Sequence, residues 1–303
     1  MSEWLDEESG RIALVEYSRR VYAKGWVANH DGNLSVRVGE DRIIATPTAT
    51  SKGDIRPEML IVVDMSGRKR EGTRRPFSEF SIHLAAYRAR PDIRAVLHAH
   101  PVTATAFALA GIPLEPTIMA ETVVSLGACI PTTPFALPFG EEGARPLEPF
   151  LEDSDAFLLE GHGALTIAPD LETAFLRMEL LEHLAKIQKA ARELGSVQRL
   201  DPHDIEALLT RRHRAGLGAA ARREKHGHVE QASLIADQDA TQQVLTTIST
   251  QTPRHAPMQG EEMRSPCSGD VRAPLPSAAS SPSLSADTLR ALIVEEARRV
   301  LED

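Results

Sequence analysis

Two histidines separated by a single residue, His98 and His100, follow an apolar run in the stretch Val96-Leu97-His98-Ala99-His100-Pro101. Side chains two residues apart in a β-strand point to the same face, so both imidazoles are expected to leave the sheet together. A further histidine, His162, also follows an apolar run and has a glycine on each side. Three imidazoles with an open fourth position are typical of a catalytic Zn²⁺ site. A His-x-His pair by itself is more often incidental, so this prediction depends on the neighbouring motifs.

Chemistry at such a site also needs a proton-transfer group, and Glu79 is the leading candidate. It is expected at the first turn of a helix, directly after Ser78, in a Pro-Phe-Ser-Glu sequence. Backbone N–H groups at the start of a helix favour anions, and the Ser78 hydroxyl could add a donor. The alternative interpretation is a helix-capping carboxylate, and the residues alone leave both interpretations open.

Two further stretches carry the groups that a phosphate prefers. Gly32-Asn33 supplies a turn and an amide, while residues 46–54 form a hydroxyl-rich loop with Thr48 and the neighbouring Lys52. Loops with free backbone N–H groups and small polar side chains can bind a phosphate. Each signal is weak alone, because Gly-Asn is most often simple turn chemistry.

Hydrophobic periodicity predicts the elements that must position these residues. Helices are predicted over residues 6–24, 76–90, 102–110 and 171–194, and strands over 32–38, 42–46, 60–64, 93–100, 156–159 and 164–167. Residues 123–130 are predicted to pass from helix to strand. Asp170 is the expected N-cap of the long fourth helix.

The chain has 303 residues, a formal net charge of −9 and a hydrophobic fraction of 42%. This length favours one large domain with an appendage, and the negative charge argues against a broad nucleic-acid-binding surface. No apolar run approaches the roughly 20 residues of a membrane span. The acidic N-terminus lacks the basic segment of a signal peptide, so a cytoplasmic protein without a membrane anchor is expected.

The character of the chain changes after about residue 200. Residues 201–234 are predicted to form a helical extension, and the basic residues between 211 and 225 are interpreted as a solvated helix face. Residues 235–285 are polar and rich in Ser, Thr and Pro, which predicts a flexible low-complexity linker. Residues 286–303 have a helical apolar face that an isolated helix cannot bury, so this segment should dock on something.

Taken in order, five motifs resemble the class II aldolase/adducin family over about residues 8–195. They are Gly-Asn-x-Ser-x-Arg, a Thr-Pro-Thr loop with Ser-Lys-Gly, Ser-Glu, His-x-His-Pro and Gly-His-Gly. The resemblance implies an α/β fold over residues 1–200: a three-layer α/β/α domain with a central, mostly antiparallel sheet. It also implies a homotetramer with active sites at subunit interfaces.

The resemblance further implies roles for individual residues. Zn²⁺, or another divalent transition metal, would be bound by His98, His100 and His162, and Glu79 would be the acid/base. The phosphate site would be formed by Gly32, Asn33, Thr48, Ala49 and Ser78, with Lys52 as a possible addition. The reaction would be aldol cleavage of a ketose 1-phosphate, of the fuculose or rhamnulose type, to dihydroxyacetone phosphate and an aldehyde such as lactaldehyde.

Related members of the family imply an alternative, a sugar-phosphate 4-epimerase or a decarboxylase of the same fold. An adducin-like module without catalytic activity is disfavoured, because this chain has the three histidines and the glutamate that such domains lack.

The sequence departs from the family's aldolases at three places. Phe77 replaces a serine, Ala49 replaces a glycine, and no tyrosine follows Tyr87. Aldolases of the family use such a tyrosine for proton transfer at the aldehyde oxygen. Thr117 falls near its position, and Glu121 is a possible substitute for it, with a structural ion pair as the alternative.

The end of the chain has a resemblance of its own. A Ser/Pro/Ala-rich linker followed by a short amphipathic helix over residues 286–303 resembles the encapsulation peptides that direct enzymes into bacterial microcompartments. Shell proteins would then be partners of this segment. The alternative is that the helix docks on its own tetramer.

Overall fold

Eight strands form one sheet in the computed structural model, which describes residues 4–224. The strands are β1 (Asn33–Gly39), β2 (Arg42–Ala45), β3 (Ile61–Val63), β4 (Lys69–Glu71), β5 (Ala95–Ala99), β6 (Thr132–Thr133), β7 (Ala156–Leu159) and β8 (Gly163–Ala168). Their order across the sheet is β4-β3-β2-β1-β5-β8-β7-β6. Each pairing is antiparallel except that of β6 with β7. The predicted mostly antiparallel sheet is confirmed.

Six α-helices have both ends within residues 4–224: α1 (Glu7–Ala23), α2 (Phe80–Ala89), α3 (Val102–Leu109), α4 (Ala120–Leu126), α5 (Leu171–Leu194) and α6 (Pro202–Arg214). Residues 218–224 are helical as well. The Asp170 side chain caps α5 by accepting a hydrogen bond from the Thr173 backbone N–H, as predicted. Helix α2 begins later than expected, because Glu79 takes a non-helical conformation at its N-cap. Helix α4 begins earlier than expected and ends at Gly127, whose φ is +95°.

The sheet has an apolar core on each face, which confirms the three-layer architecture. Helices α1, α3 and α5 pack on one face against Leu34, Val36 and Leu97, among others. Helix α2 packs on the other face, against residues such as Val96 and Leu165. Alternation along the strands produces this division, since successive side chains point to opposite faces.

The loops between these elements include the predicted turn and phosphate segments, which are described below. No helix of the described region is both long and apolar enough to cross a membrane. The predicted linker 235–285 and the predicted C-terminal helix 286–303 lie outside the described residues. The domain boundaries remain predictions.

Asp155, at the start of the β7 region, is fully buried and forms ion pairs with several arginines. Its carboxylate oxygens lie 3.1–3.3 Å from guanidinium nitrogens of four side chains, those of Arg90, Arg177, Arg212 and Arg222. The interpretation of the basic residues after 211 as a solvated face is therefore wrong for Arg212 and Arg222. Both turn inward, because the buried carboxylate offers a partner that repays part of the cost of desolvation.

We expect Asp155→Asn to lower the free energy of unfolding by about 3–5 kcal/mol, because it leaves a set of guanidinium groups without their shared carboxylate. Denaturant unfolding of both proteins at pH 7 would measure the difference. Asp153→Asn is the matched control, since that carboxylate is exposed and pairs only loosely with Arg223, at 3.6 Å. A loss as large in the control would contradict the role of Asp155.

The difference in the free energy of unfolding between wild type and Asp155→Asn should depend on pH. Burial alone would raise the pKa of Asp155, but Arg177, Arg222, Arg90 and Arg212 lower it below the ordinary value of 3.8. A carboxylate with a lowered pKa contributes stability that is complete above its unfolded pKa and is lost as the pH falls through the folded pKa. The difference between wild type and Asp155→Asn should therefore narrow below about pH 3.8.

Candidate active site

Strand register brings the first site residues together. In the β1–β5 pair, Asn33 lies directly opposite His98, and in the β5–β8 pair His98 lies opposite Leu165. Directly opposed residues of an antiparallel pair point to the same face, so Asn33 and His98 are neighbours on the face covered by α2. The three central strands of the sheet therefore meet at the candidate site.

The three predicted histidines form one cluster. His98 is the last residue but one of β5, His100 follows that strand, and His162 lies in the turn between β7 and β8. Their ring centroids are 4.4–5.4 Å apart, and one nitrogen from each ring lies within 4.8 Å of the others. Among the described residues this cluster has the donor atoms and spacing that could bind a metal ion.

The protonation states of the rings suit metal binding. Nδ1 of His98 lies 2.9 Å from the Ala164 carbonyl oxygen, which can only accept, so Nδ1 carries the proton and Nε2 has its lone pair free. That Nε2 lies 3.2 Å from Nε2 of His100. Burial lowers the pKa of His98 to about 3 and also lowers that of His100, which keeps both rings neutral near pH 7. Convergent neutral imidazoles fit Zn²⁺ and several other divalent transition metals.

Two glycines allow close packing at the cluster, Gly163 against the His100 ring and Gly32 against Val27 and the His98 backbone. A Cβ on Gly163 would lie 2.5 Å from Cδ2 of His100 and 2.7 Å from the Ala99 carbonyl oxygen. A Cβ on Gly32 would lie 2.5 Å from the Val27 side chain, and its φ of +68° also favours glycine. The glycine after His162 and the glycine before Asn33 are therefore steric requirements of the cluster.

Glu79 borders the space that the imidazole nitrogens face. Its carboxylate oxygens lie 3.4 Å from Nε2 of His98 and 3.3 Å from Nε2 of His162. It occupies the N-cap of α2 but makes no side-chain capping hydrogen bond, which contradicts the capping alternative. Burial would raise the pKa of Glu79, but His162, His98 and Asn33 together lower it to about 2 and stabilise the carboxylate.

Asn33 connects Glu79 to a set of buried polar residues that the sequence interpretation missed. Its Nδ2 donates to Oε2 of Glu79 over 2.7 Å, and its Oδ1 lies 2.6 Å from Nε2 of His83. Ser35 and Tyr87 continue this network on the far side of His83. The helical spacing of Glu79, His83 and Tyr87, four residues apart each time, is the signal that could have revealed it.

Sequence analysis missed Asp31 as well. Its Oδ2 lies 3.9 Å from Nδ1 of His100, on the side of the ring away from the cluster. The two groups are too far apart for a hydrogen bond, so Asp31 acts through its charge, which raises the pKa of His100 against the larger lowering by burial. Its sequence signal was weak, since Asp31 stands in an ordinary turn before Gly32.

The predicted phosphate loop lies against the segment that leads to Glu79. The Thr48 backbone N–H donates to the Arg75 carbonyl oxygen, and Arg74 donates to Oγ1 of Thr50. Ala49 is exposed with a φ of +53°, a left-handed conformation that is strained for alanine. Alanine stands here where the family's aldolases have glycine, but the backbone keeps the left-handed conformation that glycine favours.

The remaining predicted residues occupy different environments. Ser78 is exposed beside Glu79, whereas Lys52 is buried and its ammonium donates to the carbonyl oxygens of His30 and Thr50. Burial lowers the pKa of Lys52 to about 8. In this arrangement Lys52 braces the loop through backbone carbonyls.

The residues considered for proton transfer on the aldehyde side are not joined to the cluster in the described region. Glu121 is exposed in the first turn of α4. Thr117 lies in a short 3-10 turn, and its carbonyl oxygen accepts from the Leu200 backbone N–H. Phe77 is buried, with its ring 5.0 Å from that of His83, so the position where the aldolases have serine is apolar here.

Curated relatives of this chain have several activities. The 3-oxo-tetronate 4-phosphate decarboxylase of Escherichia coli strain K12 is 32% identical over 184 residues, which cover 60% of this chain and 86% of that protein. The methylthioribulose-1-phosphate dehydratase of Methylococcus capsulatus is 30% identical over 201 residues, covering 60% of this chain and 93% of that protein. The relatives thus share a fold region rather than one reaction.

Solved structures agree with this relationship. An L-fuculose 1-phosphate aldolase superimposes with a TM-score of 0.64 at 28% identity, covering 70% of this chain and 99% of that structure. A model of the family described as class II aldolase and adducin N-terminal domain matches residues 12–189, more than half of the chain. The chain therefore belongs to the class II aldolase and adducin N-terminal domain family.

Proposed function

We propose that this protein is a metal-dependent lyase that cleaves a carbon–carbon bond of a phosphorylated sugar, with aldol cleavage of a ketose 1-phosphate as its reaction. The observation that carries the proposal is the carboxylate of Glu79 lying 3.3–3.4 Å from two imidazoles of the three-histidine cluster. The substrates that we favour are of the fuculose or rhamnulose 1-phosphate type. Dihydroxyacetone phosphate and an aldehyde such as lactaldehyde would be the products.

His98, His100 and His162 would hold the metal ion, with Zn²⁺ as our proposed identity. A divalent ion in such a site supplies Lewis-acid chemistry, since it stabilises negative charge that develops on substrate oxygens. The Ala164 carbonyl oxygen, 2.9 Å from Nδ1 of His98, orients that ring from behind. The Asp31 carboxylate lies 3.9 Å from Nδ1 of His100 and acts on that ring through its charge. The rings would then need little reorientation when the reaction begins.

Glu79 would transfer the proton at carbon. After the bond breaks, the carbon that keeps the electron pair must be protonated. The Glu79 carboxylate, ionised in the resting site, would first take up a proton from water and then deliver it to this carbon, which leaves the carboxylate as it began. Its carboxylate form is stabilised by Asn33, and its oxygens border the space that the histidine nitrogens face. Glu79 thus links the proton transfer of the reaction to the metal site.

The phosphate of the substrate would lie beside the loops at Gly32 and Thr48. Thr48, Ala49 and Ser78, together with Gly32 and Asn33, would line this end of the proposed site; Ala49 and Ser78 are exposed and Thr48 is half-buried. The Asn33 side chain is hydrogen-bonded to Glu79 and His83, so Asn33 would contribute to the phosphate end through its backbone. Backbone N–H groups in loops of this type bind anions.

Decarboxylation of a phosphorylated keto sugar acid is the second candidate. Aldol cleavage requires a proton to leave a hydroxyl on the aldehyde side, and no tyrosine follows Tyr87 to accept it. Loss of CO₂ requires no proton transfer on that side, but it still requires protonation at carbon, which Glu79 would perform. The Escherichia coli relative named as a decarboxylase supports this alternative.

Assembly is part of the proposal. The loop beside His162 exposes three large apolar side chains, Phe135, Leu137 and Phe139, each more than half accessible. Apolar side chains exposed together are typical of a surface that contacts another protein, which supports the expected homotetramer. Encapsulation through residues 286–303 rests on the sequence resemblance alone.

A substrate panel tests the reaction. The purified protein, loaded with Zn²⁺, is assayed against fuculose 1-phosphate, rhamnulose 1-phosphate, ribulose 5-phosphate and 3-oxo-tetronate 4-phosphate. Release of dihydroxyacetone phosphate from a ketose 1-phosphate is the expected result. Release of CO₂ from the keto acid alone would identify the second candidate, and turnover of none of the four would contradict both.

Replacing Glu79 with Gln should lower kcat by about 10²–10⁴-fold, because the carboxyl group that moves the proton is removed. Bound metal, measured on the same samples, should stay near the wild-type content, since the three histidines are unchanged. The matched control is Glu172→Gln, an exposed first-turn glutamate of α5. Wild-type turnover by Glu79→Gln would show that another group performs the proton transfer.

Replacing Gly163 with Ala should weaken metal binding by about 10–100-fold, the usual effect of disturbing a ligand's support. The new Cβ would lie 2.5 Å from the His100 ring and 2.7 Å from a backbone oxygen, so the ring must move. Competition with a chromophoric chelator would measure the affinity. Gly39→Ala is the control, since its Cβ would make an ordinary 3.4 Å contact. Unchanged affinity in Gly163→Ala would argue against His100 as a ligand.

A further inference from the structure

Four hydrogen bonds link the sheet and helix α2 to the carboxylate of Glu79. The Tyr87 hydroxyl lies 2.8 Å from Oγ of Ser35, and that Oγ lies 2.7 Å from Nδ1 of His83. Nε2 of His83 lies 2.6 Å from Oδ1 of Asn33, whose Nδ2 lies 2.7 Å from Oε2 of Glu79. The proposed reaction uses only the last of these groups directly.

The chemistry of each group sets the direction of each bond. An ionised carboxylate only accepts, so Asn33 must present its NH₂ group to Glu79 and its oxygen to His83. Nε2 of His83 must then carry the ring proton, and Nδ1 must accept from the Ser35 hydroxyl. Ser35 in turn accepts from the Tyr87 hydroxyl. Every donor in this series of hydrogen bonds therefore points toward Glu79.

The hydrogen-bonded groups from Tyr87 to Asn33 are buried, whereas the Glu79 side chain at the end of the series is 18% exposed. His83 and Ser35 are fully buried, and Tyr87 is 1% exposed. Phe77 and Phe80 lie against the His83 ring, with centroids 5.0 Å and 6.0 Å away. Burial also lowers the pKa of His83 to about 3, so the ring is neutral and has one proton to place. Water cannot replace a lost hydrogen-bond partner here at low cost. The donor-to-acceptor direction of these hydrogen bonds is therefore fixed.

We propose that His83 is a positioning residue for the reaction: its Nε2–H fixes the Asn33 amide so that Nδ2 faces Glu79, and thereby orients the carboxylate that moves the proton. This inference rests on the proposed function, because it assigns to His83 an effect on the step that Glu79 performs. His83 itself touches neither the metal ligands nor the space they face.

An amide that has lost this partner is held at one end only, by its hydrogen bond to Glu79. Its buried Oδ1 would be left without a donor, so the Asn33 side chain could rotate toward another partner and Oε2 would lose its donor. The carboxylate could then rotate away from the reacting carbon. Such a change affects the rate of the chemical step more than the binding of a substrate held by its phosphate and the metal.

Three variants separate positioning from simple packing. His83→Leu fills the space but removes both ring nitrogens, whereas His83→Gln keeps one donor and one acceptor. Phe80→Leu is the matched control, because it removes an aromatic neighbour of His83 without touching the hydrogen-bonded chain. Thermal unfolding of all three reports the structural cost of each change.

The kinetic readout is the split between kcat and KM, measured on the substrate that the panel identifies. We expect His83→Leu to lower kcat by about 10–100-fold, as small misplacements of a catalytic group do, while KM changes less than about threefold. His83→Gln should recover much of the loss. Phe80→Leu should lower the melting temperature with kcat retained. Equal losses of kcat in Phe80→Leu and His83→Leu would overturn the proposal.

A double-mutant cycle asks whether His83 acts through Asn33. In an Asn33→Ala background, His83→Leu should change kcat by less than about twofold, because the intermediate group is already absent. An undiminished effect of His83→Leu in that background would overturn the proposed route.

A measurement without substrate keeps this inference separate from the proposed function. Nitrogen-15 NMR of histidine-labelled, metal-loaded protein should show His83 protonated at Nε2 and unprotonated at Nδ1 between pH 5 and 9. The opposite tautomer would overturn the positioning role whatever the reaction. Failure of the whole substrate panel, with the expected tautomer present, would instead contradict the proposed function.

Discussion

The site depends on the register in which β1, β5 and β8 pair. Asn33 opposite His98, and His98 opposite Leu165, place an amide and an imidazole side by side on one face of the sheet. Because side chains alternate along a strand, a slip of one residue would send His98 into the apolar core on the other face. The two apolar cores, one on each face, hold the register against such a slip. The chemistry therefore depends on the same alternation that folds the domain.

Helix α2 adds the second half of the arrangement. Glu79 at its N-cap, and His83 and Tyr87 at four-residue intervals, all face the polar side of β1. The apolar residues Phe77 and Phe80 surround the polar ones and exclude water. Hydrogen bonds in such a place are expensive to break, so the helix cannot move along the sheet without disrupting the carboxylate. The packing of this helix and the position of the Glu79 carboxylate are thus coupled.

Much of this arrangement could be predicted from the chain. The alternation before His98, the glycines around His162 and the order of five motifs predicted the layered fold and brought the right histidines together. The residues alone left Glu79 as either a proton-transfer group or a helix cap, and the resemblance assigned it the acid/base role. The missing capping bond argues against the cap, and the acid/base role stays a prediction. Arg212 and Arg222 were misinterpreted as solvated, because no pattern in the sequence shows that Asp155, far earlier in the chain, is buried. His83 was missed for the same reason, since its partners Asn33 and Ser35 lie in a strand some fifty residues away.

The location of Asn33 and His98 on adjacent central strands has a consequence for how such proteins diversify. Groups built into paired strands cannot be shifted separately, whereas the loops at Ala49, at Phe77 and beside His162 are free to change length and residue type. Selection for a new substrate would therefore act on the loops and leave the strand residues in place. Relatives with decarboxylase, dehydratase or aldolase activity could then differ mainly by substitutions in these loops. Exchange of loops between relatives would therefore be the practical route to redesign.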